Sequence, residues 1–208
     1  MKTGHAISHL IHHIRERFFC RTACYIYALI TLVFGATGCS SSPSSQAYED
    51  YLRLAPAGTF DPPTTDDRLG GFVTLFSSLD TEHITQELDN VYAEKLYFND
   101  TFHVITDRPS LKLYMLSLAE NSETTVRFLD SVSKGNDAWL RWHMRIRFKL
   151  WWKDLDIQSV GITHLRFDQQ GKIILHQDYW DSTEGFYAHL PIIGSPIRAI
   201  RSQLGPDS

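Results

Sequence analysis

Cysteine is scarce in this chain of 208 residues: there are three, Cys20, Cys24 and Cys39. None follows Cys39, so residues 40–208 hold no disulfide, thiol nucleophile or zinc–thiolate site. That part of the chain must fold on its apolar core alone. Positive charge is also short. Lys and Arg number 20 against 24 Asp and Glu, a net charge of −4. A chain that is acidic on balance is a poor partner for nucleic acid, whose phosphates demand positive patches. Gly-rich phosphate loops, nucleophile elbows and His/Glu zinc motifs are missing, which argues against nucleotide, nucleophilic and metal-dependent chemistry. No metal and no cofactor is expected. Nor does any apolar run reach the roughly 20 residues of a membrane span.

One shorter apolar run, Ala23 to Gly35, is interrupted only by Thr31. Lys2, Arg15, Arg17 and Arg21 precede it, and Ala36-Thr37-Gly38-Cys39 follows. A basic region, a short apolar region and small residues are the parts of an export signal. The tetrapeptide resembles the lipobox of bacterial lipoproteins, in which the cysteine becomes the acylated first residue. The resemblance implies a signal peptide over 1–38 and lipid on Cys39; an uncleaved signal anchor is the alternative. Both readings place the domain outside the cytoplasm and on a membrane. Residues 39–65 read as a tether, polar at Ser40 to Ser45, with one short helical turn near Tyr48 to Leu52. Ser40 after the cysteine resembles the enterobacterial signal for the outer membrane, facing the periplasm. Cleavage leaves 16 basic against 23 acidic side chains, a net charge of about −7. His5, His9, His12 and His13 fall in the basic region and read as a polar stretch rather than a metal site.

Regular patterning begins at Asp66-Asp67, a helix N-terminus, with Leu69, Phe72, Val73, Phe76 and Leu79 at helical spacing. Asp80 suits the cap of a second helix bearing Ile84, Leu88 and Val91. An extended piece, Lys95 to Phe102, follows, and Pro109 opens a third helix with Leu111, Tyr114, Met115 and Leu118 on one stripe. The period then changes to two. Strands are predicted over 125–133, 138–151, 157–167 and 172–180, with turns at Lys134 to Asp137, Trp152 to Asp156 and Asp168 to Gly171. On the second of these, Leu140, Trp142, Met144, Ile146 and Phe148 alternate with Arg141, His143, Arg145, Arg147 and Lys149, giving an apolar and a basic side. The basic side suits a solvated or dimer-forming face better than an anion site. A short amphipathic helix closes the tail, 191–208. Helices first and a strand meander after them predict an α+β domain over 66–190. Its helices pack on one face of a curved antiparallel sheet and enclose a pocket.

Four segments carry a family resemblance: Tyr92 to Asp100, Trp142 on the long strand, Gly161 to Asp168, and Gly171 to Asp181. In this order they resemble the nuclear transport factor 2-like superfamily, and within it the SnoaL-like group. Thr101 stands where that family often has Pro. The resemblance implies a cone-shaped fold, a pocket and dimers through the sheet, with uses that run from catalysis to binding.

On the last strand Ile174, His176, Asp178 and Trp180 share one face, and Ile173, Leu175, Gln177, Tyr179 and Asp181 share the other. His176, Asp178 and Trp180 are taken as the inward set. A carboxyl in an apolar cavity is suited to general acid or base work. Asp100 is the second candidate carboxyl, by the family resemblance, from the opposite wall. Trp142, and Tyr97 with Asn99, are candidate pocket residues; Asp100 does not share the face of Tyr97 and Asn99, so one of these two sets points inward. Two functions fit: an envelope-anchored module that binds a small apolar ligand or a protein partner, or a cofactor-free isomerase, dehydratase or hydrolase built on Asp178, His176 and Asp100. A fold used for dimerisation alone is the third.

Overall fold

The computed structural model describes residues 43–55, 57–58, 65–190 and 192–204. The signal segment, Cys39 and Ser40 lie outside the described residues. Helix α1 spans Pro43–Leu54, α2 Leu69–Ser77 and α3 Thr81–Val91. Strand β1, Tyr92–Asn99, runs on from α3 without a loop; β2 is Val104–Asp107 and α4 is Arg108–Asn121. The long strands β3, Ser122–Lys134, β4, Asp137–Leu150, and β5, Lys153–Phe167, form a meander that β6, Ile173–Trp180, completes. A single turn of helix (α5, Ser182–Gly185), a 3-10 turn and α6, Gly194–Leu204, end the chain.

The six strands form one curved sheet in the order β2-β1-β6-β5-β4-β3. The expected antiparallel sheet is therefore mixed at one place: β1 pairs with β6 in parallel, because the chain returns from the meander to the edge it left. Helices α2, α3 and α4 cover one face, and the core lies between them and the sheet around Leu69, Phe72, Ile84, Leu88, Leu140 and Leu165. The fold is α+β, as expected, with helices packed on one face of a single curved sheet.

Local chemistry explains most of the boundaries. Asp80 caps α3 by accepting from the His83 amide at 2.9 Å, and Asp107 caps α4 by accepting from the Ser110 amide at 2.8 Å. Pro109 sits in the first turn of α4, where its missing N–H is harmless. Asp66 stands at the start of α2, as expected: its Oδ1 accepts the Arg68 amide at 3.1 Å, and its carboxylate also accepts from Arg68 Nη2 at 2.8 Å and from the Ser133 hydroxyl at 2.7 Å, tying the start of α2 to β3. Hydrogen bonding from Arg68 holds that carboxyl down at about 2. β5 shows the strictest alternation, with Leu155, Ile157, Ser159, Gly161, Thr163, Leu165 and Phe167 inward. The turn before it is shorter than predicted, since Lys153 to Asp156 already belong to β5.

The outer face of the sheet carries cross-strand ion pairs. Arg145 donates to Asp156 across the β4–β5 ladder, and Arg147 donates to Glu123 across the β3–β4 ladder at 3.1 Å. Beside them Asp130, 1% exposed, pairs with Arg141, 8% exposed. Arg141 Nη1 also reaches the Tyr51 hydroxyl at 3.1 Å and the Ala55 carbonyl at 2.8 Å. The segment predicted as linker with one short turn is thus a three-turn helix whose last turn is hydrogen-bonded to the sheet. Replacing one member of a buried ion pair strands the other charge, at a cost of about 3–5 kcal/mol. Arg141→Met is accordingly expected to lower unfolding free energy by about that much. The Asp130→Leu/Arg141→Met double variant should recover most of the loss in denaturant titration. Equal losses in the two proteins would refute the pairing.

Candidate functional site

A cavity of about 120 Å³ lies between the helices and the inner face of the sheet. Phe72 and Phe76 from α2, Tyr114 and Met115 from α4, and Trp142 and Met144 from β4 form much of its wall. Polar groups reach it from four residues of note: Asp178 and His176 on β6, Thr163 on β5, and Asp100 just past β1.

His176 is 1% exposed, so both its ring nitrogens need partners inside the protein. Nε2 lies 3.0 Å from Asp178 Oδ1, and Nδ1 lies 2.6 Å from the Tyr92 hydroxyl. An ionised carboxylate only accepts, so Nε2 carries the hydrogen. Nδ1 meets the Tyr92 hydroxyl, a group able to donate or to accept there. Burial, with the Asp178 charge second, pushes the Tyr92 hydroxyl far above its ordinary pKa, so it keeps its proton. Phe72, Phe76 and Phe98 close round the imidazole, with centroids 5.5, 5.6 and 4.6 Å away.

Asp178 Oδ1 takes a second donor, the Thr163 hydroxyl at 2.5 Å, and Thr163 Oγ1 in turn accepts from Trp142 Nε1 at 2.8 Å. The indole can sit there because residue 161 is glycine. Trp142 pairs with Gly161 across the β4–β5 ladder, and a Cβ at 161 would fall 2.3 Å from the indole ring. Asp178 Oδ2 has no hydrogen-bond partner among the described residues. The carboxylate is thus fixed by one oxygen and offers the other, in a wall that is otherwise mostly apolar.

Asp100 is arranged differently. Its Oδ1 accepts the backbone amides of Phe102 and His103 at 2.9 and 2.8 Å, and its Oδ2 accepts from the Tyr114 hydroxyl. Burial first, and the Asp100 charge second, keep Tyr114 protonated throughout the working range. Trp180 Nε1 donates to the Asp100 carbonyl at 3.1 Å, and its ring meets Phe102 at 5.6 Å. Oδ1 of Asp100 therefore holds a loop, while its Oδ2 ties that loop to α4 through Tyr114.

His176, Asp178, Asp100, Trp180 and Trp142 all line the cavity. Tyr97 and Asn99 do not: they alternate to the other side of β1, where Asn99 Nδ2 donates to the Tyr97 hydroxyl at 3.2 Å. The inward member of the two sets is Asp100. Ile173, expected on the outer face of β6, is buried in the core, because pairing slips between Arg166 and Phe167 and breaks the alternation. Three polar members were missed by sequence reasoning: Tyr92, Tyr114 and Thr163. Tyr114 stood in an apolar helix stripe, and its hydroxyl was the available signal, since a buried tyrosine seeks an acceptor. Among the described residues no cluster of three or more His, Cys, Asp or Glu is placed to hold a metal ion.

No protein-family model matches the sequence, and no curated protein matches it significantly. Solved structures do match in shape. An M. tuberculosis LEH-like epoxide hydrolase aligns with a TM-score of 0.50 at 17% identity, over 60% of this chain and 85% of its own. A provisionally assigned SnoaL-like polyketide cyclase from Shewanella putrefaciens CN-32 aligns at 0.50 and 12% identity, over 65% and 98%. A provisionally assigned polyketide cyclase from Acidithiobacillus ferrooxidans gives 0.50 and 13%, over 65% and 97%. Identities this low speak for the fold and not for a shared reaction.

Gly161→Ala is expected to push Trp142 off its seat and to cost about 1–3 kcal/mol, the usual range for overpacking. Denaturation followed by tryptophan fluorescence reads both effects, a lower midpoint and a shifted native emission. Native emission and stability equal to wild type would show that the indole does not depend on that glycine.

Proposed function

We propose that the domain binds a small, mainly apolar molecule that presents one hydrogen-bond donor to Asp178. The observation that carries this is the open Oδ2 of a carboxylate whose other oxygen is fixed by Thr163 and His176, in a cavity walled by aromatic and aliphatic side chains. The cavity, at about 120 Å³, has room for a group about the size of benzene. Larger molecules would place one ring or branch inside and the rest at the rim.

Phenol and toluene separate the two parts of this reading by calorimetry. Toluene tests the apolar volume, and phenol adds the donor. A hydrogen bond to a charged group is worth about 1.5–3 kcal/mol. Phenol is therefore expected to bind more tightly than toluene by at least about tenfold, and Asp178→Asn to remove most of that preference. A preference that survives in Asp178→Asn would dissociate the carboxylate from the ligand.

The same oxygen favours a second reading, a cofactor-free acid–base reaction of the isomerase, dehydratase or hydrolase type. Asp178 would accept the proton in it. His176 would orient the carboxylate, and the neutral Tyr114 hydroxyl would lie on the facing wall. Solvent deuterium entering a small cyclic ketone next to its carbonyl, at a rate that falls at least about a hundredfold in Asp178→Asn, is the expected signature. Equal rates in the two proteins would leave binding as the function.

We further propose that lipid on Cys39 holds the domain at the bacterial cell envelope, on the periplasmic side of the outer membrane. The lipobox-like Ala36-Thr37-Gly38-Cys39 and the following Ser40 support this. Radioactive fatty acid is expected to label the wild-type chain in cells, and label retained in Cys39→Ala would overturn the assignment. A homodimer through the outer face of the sheet belongs to the same proposal, as does the absence of nucleic acid among its partners.

A further inference from the structure

The β4–β5 hairpin closes at Trp151 and Trp152, which are 61% and 75% exposed and stacked with ring centroids 5.6 Å apart. Two indoles in water at a hairpin tip contribute nothing to the core. The chain after β6 adjoins them: Lys153 Nζ donates to the His189 carbonyl at 3.4 Å, and the Phe148 ring stacks on Phe186 at 5.8 Å. That segment adds Ile192 and Ile193, both exposed, and continues into α6, where Ile200 is exposed as well.

The charge of these two segments runs against that of the chain. Phe148 to Lys153 contains Lys149 and Lys153 and no acid, and Gly185 to Leu204 contains Arg198 and Arg201 and no acid, while the whole chain carries −4. Asp154, paired with Lys149 in the ladder, is the first acid after the tip. The Lys149 ammonium makes no hydrogen bond or ion pair among the described residues. Exposed tryptophans flanked by lysines, with no acid between them, suit the boundary between lipid headgroups and acyl chains. Protein interfaces instead exclude lysine from their centres. A second copy meeting this surface about a two-fold axis would bring the same lysines together.

We propose that this end of the domain docks on an anionic lipid surface, with Trp151 and Trp152 entering the headgroup–acyl boundary and Lys149 and Lys153 meeting lipid phosphates. The contact is made by the folded domain and is separate from any lipid on Cys39. It also borders the cavity, because Phe186 touches Phe102 at 4.9 Å and Phe102 is part of the cavity wall. Docking therefore sets the rim of the cavity beside the acyl layer.

The test uses the full chain carrying Cys39→Ala, so that no acyl group contributes. It is mixed with vesicles of bromine-labelled phosphatidylcholine, with and without phosphatidylglycerol. Bromine is expected to quench tryptophan emission with phosphatidylglycerol present, and Trp151→Ser/Trp152→Ser is expected to abolish that quenching while keeping the wild-type thermal midpoint. Lys149→Glu/Lys153→Glu should weaken the effect by about tenfold or more. Quenching that persists in the double tryptophan variant overturns the proposal, as does quenching equal on both vesicle types. Absence of quenching, with a dimer that only the tryptophan variant disrupts, would assign the surface to a second copy.

Discussion

A buried imidazole must find a partner for each of its two nitrogens, and the inner half of this domain is arranged round that requirement at His176. Tyr92 supplies one partner from a position with several duties. It is the residue on which α3 ends, its amide donating to the Leu88 carbonyl, and it is the first residue of β1. The parallel pairing of β1 with β6 brings that position alongside the strand that holds His176. Moving α3 relative to β6 would therefore unpair a buried hydroxyl and a buried ring nitrogen together. The aromatic rings of α2 and β1 then close the remaining sides of the imidazole. Helix packing and strand order are thereby tied to one polar contact.

From His176 the same constraint passes to Asp178. A carboxylate in an apolar cavity is costly unless it is hydrogen-bonded. Here His176 and Thr163 both bond to Oδ1, and Trp142 bonds to Thr163. The support ends at Gly161, whose missing side chain is the space the indole occupies. A glycine thus supports, through the side chains of Trp142 and Thr163, the carboxylate of Asp178 in the cavity wall. Oδ2 remains available because the supporting bonds all converge on Oδ1.

Legibility in the sequence followed the range of the interactions. The faces of β4 and the cap at Asp80 rest on local period and capping chemistry, and local rules suffice to find them. The two faces of β6 both mix apolar and polar residues, so its period alone does not say that His176, Asp178 and Trp180 turn inward. The parallel β1–β6 pair depends on strands some eighty residues apart, and no pattern within either strand encodes it. β2 is a four-residue edge strand with little burial, too short to show a period. Helix α1 looked like linker because its polar sequence lacks a long apolar stripe; it is held by Arg141, a residue ninety positions away from Tyr51. Thr163 was invisible for a related reason. A threonine on a strand is ordinary, and its role appears only once Trp142 and Asp178 are placed on either side of it.

The loop after β1 shows why two carboxyls in one cavity are not equivalent. Thr101 has φ of 86°, a backbone region that β-branched residues rarely occupy. Something must hold the chain there. Asp100 does, accepting the next two amides on one oxygen, while Asn99 Oδ1 accepts the Thr101 amide at 2.9 Å and Tyr114 occupies the other Asp100 oxygen. Oδ1 of Asp100 is thus committed to the loop, and its Oδ2 is already engaged by the Tyr114 hydroxyl. Asp178 carries no such duty on Oδ2. The strain at Thr101 therefore separates the two candidates by physical role: Asp100 shapes the rim of the cavity, and Asp178 faces what enters it.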